Sequence, residues 1–568
     1  MYCVDNGIKQ RLIKLYGNKN GEKAMVSLTR LIMYYKARIE SKHYTMSEND
    51  AILITYGDQV TSPGEPPLLM LNNFLNHYLK DVINSVHILP FFPYSSDDGF
   101  SVIDYKEVSP RMGSWKDVEE IGKKFRLMLD GVINHISQYS YWFKGYLSDE
   151  PEFKDFFIDI DPTIDLSLVT RPRMSPLLNE YKDEEGRIRH IWSTFSKDQV
   201  DLNYANYKVL LAVLDALLYY VKKGATLIRL DAIAFVWKEI GTSCVHLPQT
   251  HEVIQLLREA IHEVAPEVII VTETNVPHDE NISYFGSGED EAQMVYNFAL
   301  PPLIAHAIIS ENAHFLTSWA KTLSLPNDKV CFFNFTASHD GIGMRPARGI
   351  LPQSGLDLLQ TTCIDHGGEV SYRKMPDGQQ EPYELNCTYV DLLSHLKDED
   401  SLRIKRFLLS QAIMLSMPGV PGVYFHSLIG AMNDHEGVKR TGMFRSINRE
   451  KFNIGLLDKL INSEGNKENI IFKSYQSMLS IRTSQKAFSP FGTFKVLELD
   501  DKVFAILRHG TQNKNHILAL HNCSNQDITV KIPRLFKNSK ELIRGISIKD
   551  SIVKLEPFQV AWLKQVSS

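Results

Sequence analysis

From residue 51 the chain sets short apolar runs against longer stretches of helical spacing. Runs rich in β-branched and aromatic residues occupy 51–55, 85–91, 126–133, 226–230, 268–272, 294–298, 330–335 and 420–425. Each is too short for a helix and is flanked by polar or turn-forming residues, so each predicts a strand, and the stretches between predict helices. Strand–helix alternation implies crossover connections and a parallel sheet. Eight such units predict an α/β fold, a (β/α)8 barrel, over 51–487. Two stretches break the alternation: about 137–200, rich in Asp, Pro and Arg, and about 344–400. Both read as inserted loop domains. Upstream, Leu12, Ile13, Leu15 and Tyr16, then Leu28, Leu31, Ile32 and Tyr35, recur at helical spacing and predict a helical extension over 1–50. Past 488 the texture changes. Segments at 492–498, 503–508 and 516–521 alternate with turn signals, among them Asp500-Asp501 and Gly510, and predict an all-β C-terminal domain over 488–568.

Composition narrows the class without changing this picture. A chain of 568 residues is too long for one compact core. Its hydrophobic fraction of 43% and charged fraction of 23% are those of an ordinary globular protein, which excludes disordered and collagen-like classes. A net charge of −6 with no basic run gives no footing for nucleic acid. No apolar stretch approaches the roughly 20 residues that span a bilayer. The N-terminus lacks an apolar signal-like region, which points to a cytoplasmic protein. Cys3, Cys244, Cys331, Cys363, Cys387 and Cys523 form no CxxC pair, so neither a structural zinc nor any other metal or cofactor is expected, and free thiols are.

In a β/α barrel, chemistry gathers where strands end. The third run closes in Asp130-Gly-Val-Ile-Asn134-His135, the fourth in Arg229-Leu-Asp231, the fifth in Thr272-Glu273-Thr274 and the seventh in Ser338-His339-Asp340. One Asp at a strand end is commonly a cap, and one His, such as His87, is commonly structural; four polar lips in one barrel should converge on one pocket. Retaining cleavage of a glycosidic bond needs a carboxylate nucleophile and a carboxylic acid about 5–5.5 Å apart. Arg229 and Asp231 leave the same face of their strand, and a nearby cation favours an ionised carboxylate, which makes Asp231 the better nucleophile. Glu273 follows the run Val268-Ile269-Ile270-Val271, where dryness should raise its carboxyl and suit it to act as the acid. Asp340 supplies a third carboxylate, and His135 and His339 possible donors to sugar hydroxyls. Gly341-Ile-Gly343 lacks the third glycine of a dinucleotide fingerprint. There is no GxSxG elbow or HExxH helix.

The ordered set DxxxNH, RxD, strand-end Glu and HD resembles the α-amylase superfamily, over about residues 51–568. That resemblance implies Asp231 as nucleophile, Glu273 as general acid/base, Asp340 as transition-state stabiliser, and no calcium. Ile54-Thr-Tyr-Gly-Asp58, Val86-His-Ile-Leu-Pro-Phe-Phe92, Lys238-Glu-Ile-Gly-Thr-Ser-Cys244 and Phe298-Ala-Leu-Pro-Pro302 are similar to the sucrose-phosphorylase subfamily. By that similarity Asp98, Phe100 and Arg445 hold the glucosyl ring, Asp98 and Arg445 pairing at its base. Arg173, of Arg171-Pro-Arg173, holds phosphate; its alternative is a plain salt bridge. Departures from the sucrose enzymes around Arg345 and at Pro382-Tyr383-Glu384-Leu-Asn386, with Asp155-Phe-Phe-Ile158 and Glu273-Thr-Asn-Val-Pro-His278, resemble the glucosylglycerate phosphorylase branch. The implied reaction converts 2-O-α-glucosylglycerate and inorganic phosphate into α-glucose 1-phosphate and glycerate, with Arg345 and Glu384 at the acceptor and the two insertions as lids. Sucrose, sucrose 6-phosphate or glucosylglycerol phosphorylases, a hydrolase, or a non-catalytic carbohydrate-binding barrel are the other readings. A homodimer and a monomer both stay open.

Overall fold

The computed structural model describes residues 6–40, 44–374, 379–511 and 515–566; Cys3 lies outside them. All eight apolar runs form strands: β1 (Ile52–Thr55), β2 (Ser85–Ile88), β3 (Arg126–Gly131), β4 (Ala225–Leu230), β5 (Ile269–Thr272), β6 (Met294–Tyr296), β7 (Cys331–Asn334) and β8 (Val420–Tyr424). They close a parallel barrel in sequence order, β8 returning to pair with β1. The strands are buried almost throughout, as expected where helices cover the outer wall and side chains fill the inner one.

Register sets the site. Asp130 of β3 stands opposite Arg229 of β4, and Arg229 opposite Val271 of β5. One step further, Asp231 N–H donates to the Gly131 carbonyl (3.1 Å) and Glu273 N–H to the Leu230 carbonyl (3.2 Å). Asp231 and Glu273 are therefore held by ladder hydrogen bonds at one level of the barrel mouth.

The insertions carry more regular structure than their sequence suggests. The first holds a helix, Tyr141–Leu147, and a hairpin of Leu178–Lys182 with Ile188–Trp192. It is anchored by the antiparallel pairing of His135–Ser137 with Gln199–Asp201. The second contains the strand Gln380–Asn386 between Ile342–Gly343 and Glu369–Lys374. Upstream, helix α1 runs from Asn6 to Lys36 with a left-handed break at Gly17 (φ 73°) and packs on the helices Tyr207–Lys222 and Pro248–Val264. The sequence predicts a helical extension over 1–50. It stops at Lys36, and at 47–50 a polar turn takes over, with Ser47 N–H donating to Asp50 (2.7 Å) and Asn49 N–H to the Ser47 hydroxyl (3.2 Å). After residue 493 a six-stranded sheet includes Phe494–Asp500, Val503–His509, His516–Asn522 and Val560–Gln565. No helix among the described residues is long and apolar enough to cross a membrane.

Candidate active site

The barrel mouth opens into a pocket lined from below by Asp231, Glu273, His339 and Asp340, with Asp97, Phe100 and His135 beside them. Both insertions reach it: Arg173, Phe195 and Gln199 come from the first, Tyr383 from the second, and Arg445 follows β8.

Arg229, fully buried, organises the floor. Its NH1 donates to Asp231 Oδ1 at 2.8 Å and also pairs with Asp130, while NH2 lies 3.7 Å from Glu273 Oε2. The strand-end carboxylates thus share one guanidinium, and Arg229 lies beside Asp231 as their two-residue spacing implied. Asp130 is held in turn by His87 Nε2 at 2.6 Å, which gives that histidine a structural role. Immediately after Asp231 the backbone turns left-handed at Ala232 (φ 49°), and its N–H donates to Glu273 Oε2 at 3.1 Å.

The three carboxyls differ in environment. Burial raises Glu273 to about 7, against the pull of Arg229 and helped by Asp231 and Asp340. Asp231 had been expected below the ordinary range because of Arg229. Burial instead moves it up, and Arg229 only opposes the shift. The asymmetry with Glu273 survives in the geometry, since Arg229 stands nearer to Asp231. Burial acts upward on Asp340 too, but Arg445, His339 and Arg449 outweigh it and hold the group well below the carboxylate range. His339, stacked on Phe100 at 4.7 Å with the rings 1° from parallel, is pushed down to about 3 by burial and is neutral at neutral pH. His135 Nε2 lies 3.0 Å from the Phe100 carbonyl, with Gln199 beside it at 3.2 Å.

One expected contact is corrected. Asp98 pairs not with Arg445 but with Arg449, whose NH1 is 3.3 Å from both Asp97 and Asp98 and whose Nε donates to the His339 carbonyl at 2.8 Å. Asp97 and Asp98 are both left-handed (φ 51° and 50°), and the following Gly99 (φ 114°) passes so near Pro90 that a Cβ would lie 2.4 Å from its carbonyl oxygen. That turn brings both carboxylates round to Arg449. Arg445 looks the other way. It donates to both oxygens of Glu384 (3.0 and 2.7 Å) and pairs with Asp340 at 2.6 Å.

Asp98, Arg229, Arg345 and Glu384 are not among the lining residues. Glu384 is fully buried behind Arg445, and Arg345 leans towards Glu280 at 4.0 Å. The sequence reading missed Arg449, Gln199 and Tyr383. Signals existed for two of them: Arg449 follows Arg445 by one helical turn, and Tyr383 precedes Glu384. Among the described residues no group of three or more His, Cys, Asp or Glu side chains is placed to hold a metal ion.

The α-amylase catalytic-domain family matches residues 75–340. The glucosylglycerate phosphorylase of Spirochaeta thermophila is 47% identical over 91% of this chain and 89% of its own. That of Escherichia coli is 45% identical over 92% and 93%. Among solved structures, the sucrose 6F-phosphate phosphorylase of Thermoanaerobacter thermosaccharolyticum superposes with a TM-score of 0.74, covering 89% of this chain and 98% of that one at 24% identity, a likeness of fold. With its barrel, its strand-end carboxylates and these relatives together, the chain belongs to the α-amylase superfamily, in the sucrose-phosphorylase subfamily alongside the glucosylglycerate phosphorylases, and is a glycoside-processing enzyme.

Proposed function

We propose that the chain catalyses reversible phosphorolysis of 2-O-α-D-glucosylglycerate to α-D-glucose 1-phosphate and D-glycerate, with retention. The observation that carries the reading is one guanidinium, Arg229, shared between Asp231 and Glu273 beneath an ionised Asp340. Two carboxyls about 5–5.5 Å apart are what a double displacement requires.

In this reading Glu273 protonates the bridging oxygen while Asp231 attacks C1, the C1–O bond to glycerate breaks, and glycerate leaves as C1 becomes joined to Asp231 in a β-glucosyl ester. Hydrogen phosphate then attacks C1 through an oxygen, Asp231 departs as carboxylate, and the phosphate proton returns to Glu273. Asp340, Phe100, His135 and His339 serve the glucosyl ring, with Asp98 now set by Arg449. The names of the two relatives above, each matched over about nine-tenths of its length, support glycerate as acceptor. Inorganic phosphate as co-substrate and the described cysteines, all buried and free, suit a cytoplasmic setting.

Two measurements test the proposal. Asp231→Ala and Glu273→Gln should each abolish phosphorolysis of natural glycosides, Glu273→Gln alone keeping slow turnover of donors whose leaving group needs no proton. Offered α-glucose 1-phosphate with glycerate, fructose, fructose 6-phosphate or glycerol, the enzyme should release phosphate fastest with glycerate. A faster release with a neutral acceptor would replace the substrate, and Glu273→Gln with unchanged rates on glycosides would remove the acid.

A further inference from the structure

Arg445 does not serve Asp98, and Glu384 is not exposed to the pocket. Together these facts give the pocket wall a different logic. Glu384 is fully buried, and its Oε2 is approached by two guanidiniums: Arg445 Nε at 3.0 Å and Arg173 NH1 at 3.9 Å. Both arginines line the pocket; the carboxylate behind them does not. Tyr383, also lining, has Arg173 5.5 Å from its ring centroid. Arg173 comes from the first insertion and Arg445 from the segment after β8, so one buried anion gathers cations from two separate parts of the chain. The remaining pocket-side partner of Arg445 is Asp340, at 2.6 Å.

Like charges gathered in a partly dry wall repel unless an anion sits among them. Glu384 neutralises one of the two guanidiniums, and their pocket faces keep donors in the planar fork that fits carboxylate and phosphate alike. We infer that Arg173 and Arg445, aligned by Glu384, form a single anion seat that receives phosphate and the carboxylate of the acceptor in turn. This rests on the phosphorolytic reading above and adds to it. Glu384 is a positioning residue and not an acceptor contact. Arg445 belongs to the anion and not to the glucosyl ring. The two co-substrates exclude each other from one place. A neutral acceptor in that place leaves Arg173, which Glu384 approaches only at 3.9 Å, without a close counter-charge, a penalty that discriminates against polyols and unphosphorylated ketoses.

The seat acts on the second half of the reaction, so the test reads how one glucosyl-enzyme is shared among acceptors. Supplied with α-glucosyl fluoride, the enzyme partitions the intermediate between water, phosphate and glycerate. For Arg445→Lys and Glu384→Gln the yield of glucose 1-phosphate relative to glucose, at fixed phosphate, should fall by about 30-fold or more, and the yield of glucosylglycerate by a similar factor. Glu384→Asp should recover part of it. Because the ratio is taken from a common intermediate, slower glucosylation or lower stability does not move it. Unmodified enzyme should show phosphate and glycerate competing, each raising the apparent KM of the other. An unchanged ratio in both variants overturns the seat, as does a fall for phosphate without one for glycerate. Should Glu384→Gln fail to fold, Arg173→Lys carries the same expectation. If unmodified enzyme makes glucose 1-phosphate but transfers to fructose in preference to glycerate, the acceptor in the reading above is wrong while the phosphate arm of the seat still stands or falls on its own ratio.

Discussion

In the proposed reaction Glu273 has to be an acid at neutral pH, and it sits in a fold that favours its uncharged form. Burial raises its carboxyl from 4.5 to about 7. Cleavage of a natural glycoside by a protonated Glu273 should therefore slow as pH rises through about 7, with Asp340 adding no inflection there because it stays ionised far below. In Glu273→Gln acting on donors with good leaving groups, that descent should vanish; its persistence would assign it to another group. Stability follows the same shift. A carboxyl whose folded value is raised contributes stability that is complete below 4.5 and is lost as pH climbs through about 7. At about 1.4 kcal/mol per unit, the ionised group costs the folded chain about 3 kcal/mol in alkaline solution. Glu273→Gln keeps an acceptor for the Ala232 N–H, so its melting temperature should exceed that of the unmodified enzyme at pH 8 and the gap should narrow at pH 5; an equal gap at both values would sink the argument. The strand-end carboxylates were legible because barrel geometry puts catalysis at strand ends and the two-residue spacing fixes Arg229 beside Asp231. The partner of Asp98 was not, since Asp97 and Asp98 turn through left-handed backbone that no spacing rule anticipates, and only that turn delivers them to Arg449.

Elements differed in how openly they declared themselves. The eight strands did so because burial on both faces forces continuous apolar runs. The second insertion did not, since its strand Gln380–Asn386 mixes Glu, Pro, Tyr and Asn. Its exposed start and buried end reflect a strand leaving solvent to deliver Tyr383 and Glu384 to the pocket wall. Gly341 makes sense only beside that strand: a Cβ there would lie 2.5 Å from Glu384 Cγ and 2.6 Å from the Leu385 carbonyl, so the loop after Asp340 needs glycine to close over it, while a Cβ at Gly343 would meet the Asn275 amide at 2.4 Å. Helix α1 is an element whose helical spacing was plain and whose purpose was not. Its inward face, with Ile8, Leu12, Leu28 and Ile32 fully buried, covers the helices that lead into β4 and β5, and Arg11 and Tyr35 pin its two ends to Glu252, Glu259 and Asp215. Apolar burial should dominate this contact. Ile32→Ala is expected to cost about 3 kcal/mol, as buried large-to-small changes do. Arg11→Ala should cost under about 1 kcal/mol, because its ion pairs are partly solvated. Chemical denaturation distinguishes the two. A main unfolding transition unmoved by Ile32→Ala would mean that α1 is an appendage and not part of the cooperative fold.

At the scale of the whole molecule the C-terminal sheet is bound into the barrel more deeply than its sequence suggests. Its sequence reads as a separate small domain, yet Val503–Arg508 of its strand Val503–His509 are all buried. Phe504 and Ile506 join the core that runs through the barrel, while Val503, Ala505 and Leu507 belong to a second core on the far side. Arg508 shares the parity of Phe504 and Ile506, so it points at the barrel. There NH1 donates to the carbonyls of Ser416 (2.9 Å) and Met417 (2.8 Å) and NH2 to that of Ser489 (2.8 Å). Arg482 works on the same loop from the helix Lys467–Thr483, donating to the carbonyls of Leu415 and Gly419 and, across the barrel's N-terminal end, to those of Glu48 and Asp50. Burial lowers both guanidiniums, Arg482 to about 10 and Arg508 to about 9, and their mutual repulsion adds to it at Arg508. Both remain cations at neutral pH, stabilised by the carbonyl dipoles around them. The loop they hold, 415–419, leads directly into β8, the strand that closes the barrel against β1. Arg508→Met should fill the space but strand the carbonyls of Ser416 and Met417, at about 1–3 kcal/mol each, while that of Ser489 keeps the Gly492 N–H. The expected result is a loss of several kcal/mol in one cooperative transition, monitored by circular dichroism and by activity together. Two separate transitions, with the barrel and its activity surviving the first, would show that the sheet is an independent unit, and an unchanged midpoint would show that water replaces Arg508 at no cost.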